Sequence, residues 1–383
     1  MNETIEYIKT LLTYGDAEAA RCIGYTLDQD QWSAYKVVIL PSGHINGELV
    51  YPSLKRVTPT LQDKTYIIEE DLIYNTFFFI SRAEELLIME RDKHGRFTAA
   101  NSLLGRKNRL AMPLVDEYSR LVSKLLEVTL PDAQFSAVNL THDIDTIANY
   151  RHLRGALGGI YRGDGQHVLD SWHNIHDDPA YTFPWLMSMD ARCTAHNKKV
   201  IYFVKHTRGC GYDYPQYNLR GHDWRQLHNR LRAFGAVFGL HSSYYADYSR
   251  LNIAFSTRHR SHYLRCSIDD MQRLADMGIT DDYSMGFADS IGFRLQTCRP
   301  VRWINPQTRQ LTPLTLHPLT IMDVTLSNPE YMNLTEDEAY FACTKLLEKV
   351  RQHGGEVNLL WHNNNIRHDT YHRSLYPKIL ATL

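Results

Sequence analysis

Three short stretches place carboxylates and imidazoles just beyond runs of apolar residues. Thr141-His142-Asp143-Ile144-Asp145 follows Ser136-Ala137-Val138-Asn139-Leu140, His241-Ser242-Ser243-Tyr244-Tyr245 follows Val237-Phe238-Gly239-Leu240, and Trp361-His362-Asn363 follows Val357-Asn358-Leu359-Leu360. Each apolar run reads as a short buried strand. Acids and imidazoles gathered in this way serve acid–base catalysis or metal-assisted hydrolysis. A divalent ion of hard or borderline character accepts Asp oxygen and His nitrogen, and a catalytic site keeps one position open for water. Two carboxylates then divide the labour. One is held ionised by the cation, and the other takes the proton of the attacking water. A lone His or Asp in such a place is ordinarily a loop cap. Three strand exits ending alike weigh against that explanation.

The elements that must position these residues alternate. Helical periods are read over Pro184 to His196, Trp224 to Phe234, Ile268 to Met277 and Glu336 to His353. Apolar strands are read at Ile201-Tyr202-Phe203-Val204 and Thr320-Ile321-Met322-Asp323-Val324. Strands alternating with helices predict a parallel sheet or barrel, with chemistry beyond the C-terminal strand ends. The first 110 residues read differently. An amphipathic helix carries Ile5, Ile8, Leu11 and Leu12 and stops at Gly15. Val37 to Leu40 reads as a buried strand stopped by Pro41-Ser42-Gly43, and Leu72 to Ile80 as a strongly apolar buried segment. Residues 91–110 are polar and Gly-containing and read as a boundary or clasp, and Asp116 to Val128 has the period of a helix.

Composition limits the classes. The chain has 383 residues, 43% hydrophobic and 22% charged, as in an ordinary globular protein. Its 42 Lys and Arg against 43 Asp and Glu leave a formal net charge of −1, so bulk charge gives no argument for nucleic acid. No apolar run is long enough for a transmembrane helix. The start lacks the basic and apolar stretches of a signal peptide, and the six scattered cysteines form no CxxC. The expectation is a cytoplasmic protein with reduced thiols. The 19 His and 24 Tyr hint weakly at metal or acid–base chemistry and at sugar contacts.

In their order along the chain, Thr141-His142-Asp143-Ile144-Asp145, His241-Ser242 and Leu360-Trp361-His362-Asn363 resemble the motifs of the polysaccharide deacetylases, carbohydrate esterase family four. The chain more specifically resembles a bacterial subgroup with an extra N-terminal domain of uncharacterised function. That likeness rests on Asp71 to Glu85, Arg91-Asp92-Lys93-His94-Gly95-Arg96-Phe97, Arg260-Ser261-His262-Tyr263-Leu264-Arg265, and Gly292-Phe293-Arg294 through Cys298-Arg299-Pro300. The resemblance implies an α/β fold: a distorted, incomplete (β/α) barrel over residues 135–383, preceded by a small α+β domain at 1–110 and a connecting helix at 111–134.

The resemblance also implies an activity, the removal of N-acetyl groups from amino sugars by a metal-bound water. Asp143 matches the family's general base. Asp145 stands one residue later than the family's metal Asp, as in an Asp-x-Asp version of the motif, and is assigned to metal. His241 and Ser242 match the His-Ser/Thr-x-x-His motif, but Tyr245 occupies the second His position. A further imidazole must then complete the ligand set. His262 is the first candidate and His142 the second. Arg260 matches the arginine that orients the base. His362 matches the acid that protonates the departing amine, so base and acid are expected to flank a gap sized for an acetamido group. Tyr245, Arg294, Arg299 and Trp361 are expected to contact substrate. The implied cofactor is a divalent metal, zinc. The implied partner is a carbohydrate, such as an intermediate of surface polysaccharide assembly. Two alternatives stand beside this. One is a metal-independent C–N amidohydrolase acting on a small amide, which the missing imidazole would suit. The other is a glycan-binding pseudoenzyme, which would have no chemical need to keep Asp143, Asp145, His241 and His362 together. The sequence leaves the sugar, the role of the N-terminal domain and the oligomeric state open.

Overall fold

The computed structural model describes residues 2–42, 65–206, 211–213, 217–245, 248–367 and 370–383, together with the backbone of 57–59. Gly43, part of the expected strand stop, and Cys210 lie outside the described residues; the other five cysteines are free.

The N-terminal region is mixed α and β. Its first helix, Asn2–Leu12, buries Ile8 and Leu12 and packs against the helices Leu72–Ile80 and Leu114–Leu125. Beside them lies a four-stranded sheet of β1 (Ile23–Tyr25), β2 (Val37–Ile39), β3 (Val57–Pro59) and β4 (Tyr66–Ile68), in the order β1-β2-β4-β3. The apolar segment 72–80 is a helix because Asp71 caps it, accepting the Tyr74 amide at 2.8 Å. Eight of its nine residues are buried, so no polar face was left for the sequence to display. One continuous apolar core joins Ile8, Phe78 and Tyr118 to Met271, Trp303 and Leu316 of the rest of the chain.

The larger sheet has nine strands: β5 (Ala137–Ile144), β6 (Lys198–Lys205), β7 (Val237–Ser242), β8 (Arg258–Ser261), β9 (Asp281–Met285), β10 (Val301–Ile304), β11 (Leu311–Pro318), β12 (Ile321–Met322) and β13 (Glu356–Leu360). Their order is β10-β11-β9-β8-β7-β6-β5-β13-β12, and every pairing is parallel except β10 with β11. Intervening helices such as Phe183–Arg192, His222–Ala233 and Glu336–Gln352 bury Leu186, Leu227 and Leu346 against Leu140, Tyr202 and Leu359. The sheet curls into a half-barrel. Pro318 still pairs with Met285 of β9, yet Ile321 already pairs with Leu359 of β13 at the far side of the sheet.

Three sequence expectations change. The first strand runs on through Ile144, so His142 and Asp143 lie within it, and β7 likewise includes His241 and Ser242. The expected strand 320–324 shrinks to Ile321–Met322; Asp323 opens a short helix, with its carboxylate accepting the Val324 amide at 2.7 Å. The strand Arg258-His259-Arg260-Ser261 holds no apolar residue, and neighbouring side chains satisfy it instead, as in the 2.7 Å contact of His259 with Asp282.

His317 fastens the curl. Its Nδ1 lies 2.8 Å from Glu356 on β13, its Nε2 lies 2.9 Å from Asp281 on β9, and its ring stacks on Tyr283 with centroids 4.2 Å apart. Burial alone would push this imidazole down; the two carboxylates prevail and raise it to about 9. The folded value lies above the ordinary one, so the clamp stabilises fully below about pH 6.5 and its contribution fades as pH rises through about 9. His317→Gln is expected to lower stability by roughly 2–3 kcal/mol at pH 6.5 and much less at pH 9.5, as read by denaturant melts. An equal loss at both values would show that the charge is not what holds the closure.

Candidate functional site

Strand geometry explains why Asp143 and Asp145 act together. Residues two apart along an extended chain point to the same side, so Asp143 near the end of β5 and Asp145 just beyond it share a face. His142 points the other way. Its Nε2 meets Asp190 at 3.0 Å and its Nδ1 lies 2.7 Å from the Trp361 carbonyl, both in the packed layer behind the sheet. Register brings the other partners alongside, for His241 of β7 is level with Arg260 of β8. His262 follows β8 two residues beyond Arg260.

Asp145, His241 and His262 each offer one ligand atom, and these atoms all lie within 4.8 Å of one another. Among the described residues this is the one cluster of three such groups. His241 is fully buried, and its Nδ1 lies 3.0 Å from the Arg260 carbonyl, which leaves Nε2 facing the cluster. His262 is aimed in the same way, its Nδ1 held 2.7 Å from Asp213. A carboxylate behind a ligating imidazole fixes the ring and makes it a better ligand. His241 Nε2 and Asp145 Oδ1 stand 3.5 Å apart, and His262 Nε2 stands 3.2 Å from the same oxygen. Despite this closeness, the His241 nitrogen and the Asp145 oxygen are buried with no hydrogen-bond partner. Orphaned atoms of this kind cost free energy, and an oxygen with two nitrogens suits a divalent cation. Burial would raise the Asp145 carboxyl, but the His262 and Lys205 charges bring it well below its usual range. Burial pushes the His241 imidazole down, toward the neutral form that ligates.

The groups expected to transfer protons stand beside the cluster. Arg260, with no exposure, donates from Nη1 to Asp143 at 3.1 Å and to Thr141 at 2.7 Å. Asp143 Oδ2 is 3.7 Å from His241 Nε2 and 3.8 Å from His362 Nε2. Asp323 holds the far side of His362, at 2.7 Å from Nδ1, and accepts its backbone amide at 2.8 Å. Burial opposes protonation of His362, but Asp323 first and then Asp143 outweigh it and raise the ring to about 9. The expected gap between base and acid is absent. Asp143 and His362 are side by side, because strands β5 and β13 that carry them are adjacent and paired in register.

A cavity of about 460 Å³ opens above these groups, and its wall includes Asp143, Asp145, Lys205, His262 and His362. His94 and Arg96, from the segment read as a boundary or clasp, also line it. Asp92 makes the turn that presents them, accepting the amides of His94 and Arg96 at 2.9 Å each, with Gly95 at φ +72 where a side chain would strain. Arg96 reaches across to the Tyr263 carbonyl at 3.2 Å and the Tyr331 hydroxyl at 2.9 Å. Tyr263 and Leu264, directly after His262, take the left-handed backbone at φ 60 and 55, a strain typical of functional sites.

Four expected substrate contacts lie elsewhere. Arg294 is buried on Glu85 at 2.7 Å, and Arg299 on Asp116 at 2.7 Å, each tying the N-terminal region to the larger sheet. Trp361 is fully buried and stacked on Tyr376, with centroids 4.7 Å apart. Tyr245 is 62% exposed, its ring edge-on to Tyr244 and outside the cavity wall. Conversely, Asp213, Asp323 and Lys205 entered the site without having been singled out, and His94 and Arg96 had been noted as part of a motif and a clasp but not as site residues. For Asp213, Asp323 and Lys205, an acid inside the apolar run Thr320–Val324 was the one local sign, and it pointed to Asp323.

Residues 11–131 match a family of unknown function, DUF7033. None of the curated proteins matches the chain. Among solved structures it is similar to one described as "putative polysaccharide deacetylase from Mycobacterium smegmatis". The identity is 14%, over 66% of this chain and 85% of that one, with a TM-score of 0.42. No helix among the described residues is long and apolar enough to cross a membrane.

Asp213→Asn is expected to weaken divalent-cation binding at this cluster about 10- to 100-fold, as judged by competition with a chromogenic chelator. Unchanged affinity would mean that Asp213 does not aim His262 at an ion.

Proposed function

We propose that this chain is a metal-dependent hydrolase that removes the N-acetyl group from an amino sugar of a surface polysaccharide or its precursor. In this reading the curled sheet is a distorted, incomplete (β/α) barrel over residues 135–383, with an accessory domain at 1–110, a connecting helix at 111–134 and a cytoplasmic location. Asp145, His241 and His262 hold a divalent ion, zinc. The observation that carries the reading is the cluster of Asp145, His241 and His262, whose buried Asp145 Oδ1 and His241 Nε2 make no hydrogen bond, beside Asp143 and His362 at one cavity.

The bound cation would supply Lewis acidity, polarising the amide carbonyl and making a water a better nucleophile at neutral pH. Asp143, held by Arg260, takes a proton from the water as its oxygen bonds to the carbonyl carbon. His362, kept protonated by Asp323, gives its proton to the nitrogen as the C–N bond breaks. Acetate and a free amine result. The attacking oxygen and the departing nitrogen are attached to one carbon, so a base and an acid 3.8 Å apart serve both. An amide is a poor electrophile with a poor leaving group, which is why both an activator and an acid are needed.

Purified protein is expected to carry close to one divalent ion per chain and to release acetate from N-acetylhexosamine oligomers. Asp143→Asn and His362→Ala should each slow release by about 10²–10⁴-fold. Asp143→Asn should keep its metal, since Asp145 holds the ion; loss of metal would mean that the two carboxylates exchange roles. Full turnover after chelation would instead favour a metal-independent C–N amidohydrolase, and metal-replete protein without turnover would favour a glycan-binding pseudoenzyme.

A further inference from the structure

Every charged side chain on the wall of the 460 Å³ cavity but one has a partner of opposite charge. Arg96 pairs with Asp92 at 2.7 Å, Lys205 with Asp145 at 3.6 Å, Asp143 with Arg260 at 3.1 Å and Glu330 with Lys93 at 2.7 Å. The histidines His262 and His362 have Asp213 and Asp323. Arg367 is the exception among the described residues. It is half-buried, and its Nε is buried with no hydrogen-bond acceptor. Asp178 is near enough to act on it electrostatically but is already engaged. The Asp178 carboxylate accepts the amides of Asn149, Tyr150 and Ala180 and the Ser171 hydroxyl, at 2.6–2.9 Å. A desolvated cation without an acceptor costs free energy unless a ligand supplies one.

The position of Arg367 says where that ligand lies. The residue lines the 460 Å³ cavity and also a second cavity of about 890 Å³. The second cavity is lined by Tyr150, Tyr181 and Trp185, by the further cations Arg162 and Arg373, and by Asp164, Asp177 and Asp178. Asp164 stands 3.6 Å from Arg162, which leaves Arg373 and Arg367 as the cations without a carboxylate partner there among the described residues. Aromatic faces with guanidinium groups suit sugar rings that bear oxyanions.

We infer that Arg367 is an anion-binding residue at the junction of the two cavities, and that the substrate carries a phosphate or carboxylate group beside its N-acetyl sugar. This deepens the proposed function and rests on the first cavity being the substrate site. A guanidinium donates to either oxyanion through paired N–H groups.

Calorimetric titration of the full chain with inorganic pyrophosphate, and separately with glucuronate, tests the inference. Neither probe can be turned over, so the result does not depend on whether the chain is a deacetylase. At least one is expected to bind. Arg367→Gln should weaken that binding about 10- to 100-fold, the worth of one charge-assisted hydrogen-bonded contact. Arg367→Met, which keeps the bulk and loses the charge, should do the same. The melting temperature of both variants should stay level or rise, because an unpaired half-buried charge is removed; a structural role for Arg367 would lower it. Binding of pyrophosphate alone would mark a phosphate-linked sugar, and of glucuronate alone an acidic one. Failure of both probes to bind, or binding that survives in both variants, overturns the inference.

Discussion

A guanidinium with no exposure to solvent stands at the centre of the sheet, and most of the site is arranged around it. Arg260 donates to Thr141 and Asp143 of β5 and to the Tyr283 carbonyl of β9, with its charge 4.4 Å above the Phe203 ring of β6. Its own carbonyl sets the direction of His241 on β7. A charge so deep must be compensated by a carboxylate and by carbonyl dipoles, or it would not remain. Asp143 therefore has two tasks. It neutralises the centre of the sheet with one oxygen and presents the other to the cavity. Holding four strands in relation to one buried cation also fixes the distance between Asp143 and the Asp145–His241–His262 cluster.

The outer ring of acids follows the same logic. Asp213 and Asp323 each stand behind an imidazole, and both are fully buried. The two rings they serve are pushed toward protonation, and the one ring backed by a carbonyl, His241, is pushed away from it. A carbonyl orients a ring without adding charge, whereas a carboxylate does both. The cluster thus contains imidazoles with unlike proton affinities, set by what lies behind each.

Much of this was legible in the sequence, and the part that was not has a common cause. Asp143, Asp145 and His241 announced themselves because they stand just beyond apolar runs that read as buried strands, in the order of a known motif set. His262 was found through its place in an arginine-containing motif. The backing acids were hidden because the chain brings them from afar, Asp213 from 49 residues before His262 and Asp323 from 39 before His362. Arg294 and Arg299 misled for the same reason, their partners Glu85 and Asp116 lying 209 and 183 residues away. The strand that carries Arg260 escaped hydropathy altogether, since partners rather than apolar burial make it a strand. Alternation of helices and strands, by contrast, was readable because each element buries its own face.

The turn at residues 92–96 has a consequence for how such a chain can change. It brings His94 and Arg96 to the cavity from before the larger sheet begins, and its own geometry is set by Asp92 and Gly95. The Asp145–His241–His262 cluster and the Asp143–His362 pair share no residue with it. Substitutions there can reshape the entrance while leaving the buried cluster intact, so what the cavity admits and what the buried groups do are free to drift separately. The shared core of Ile8, Phe78 and Trp303 sets the opposite limit, for the two regions cannot be parted and recombined as modules. Variation in this architecture is therefore expected to proceed by small edits at one turn, not by exchange of whole domains.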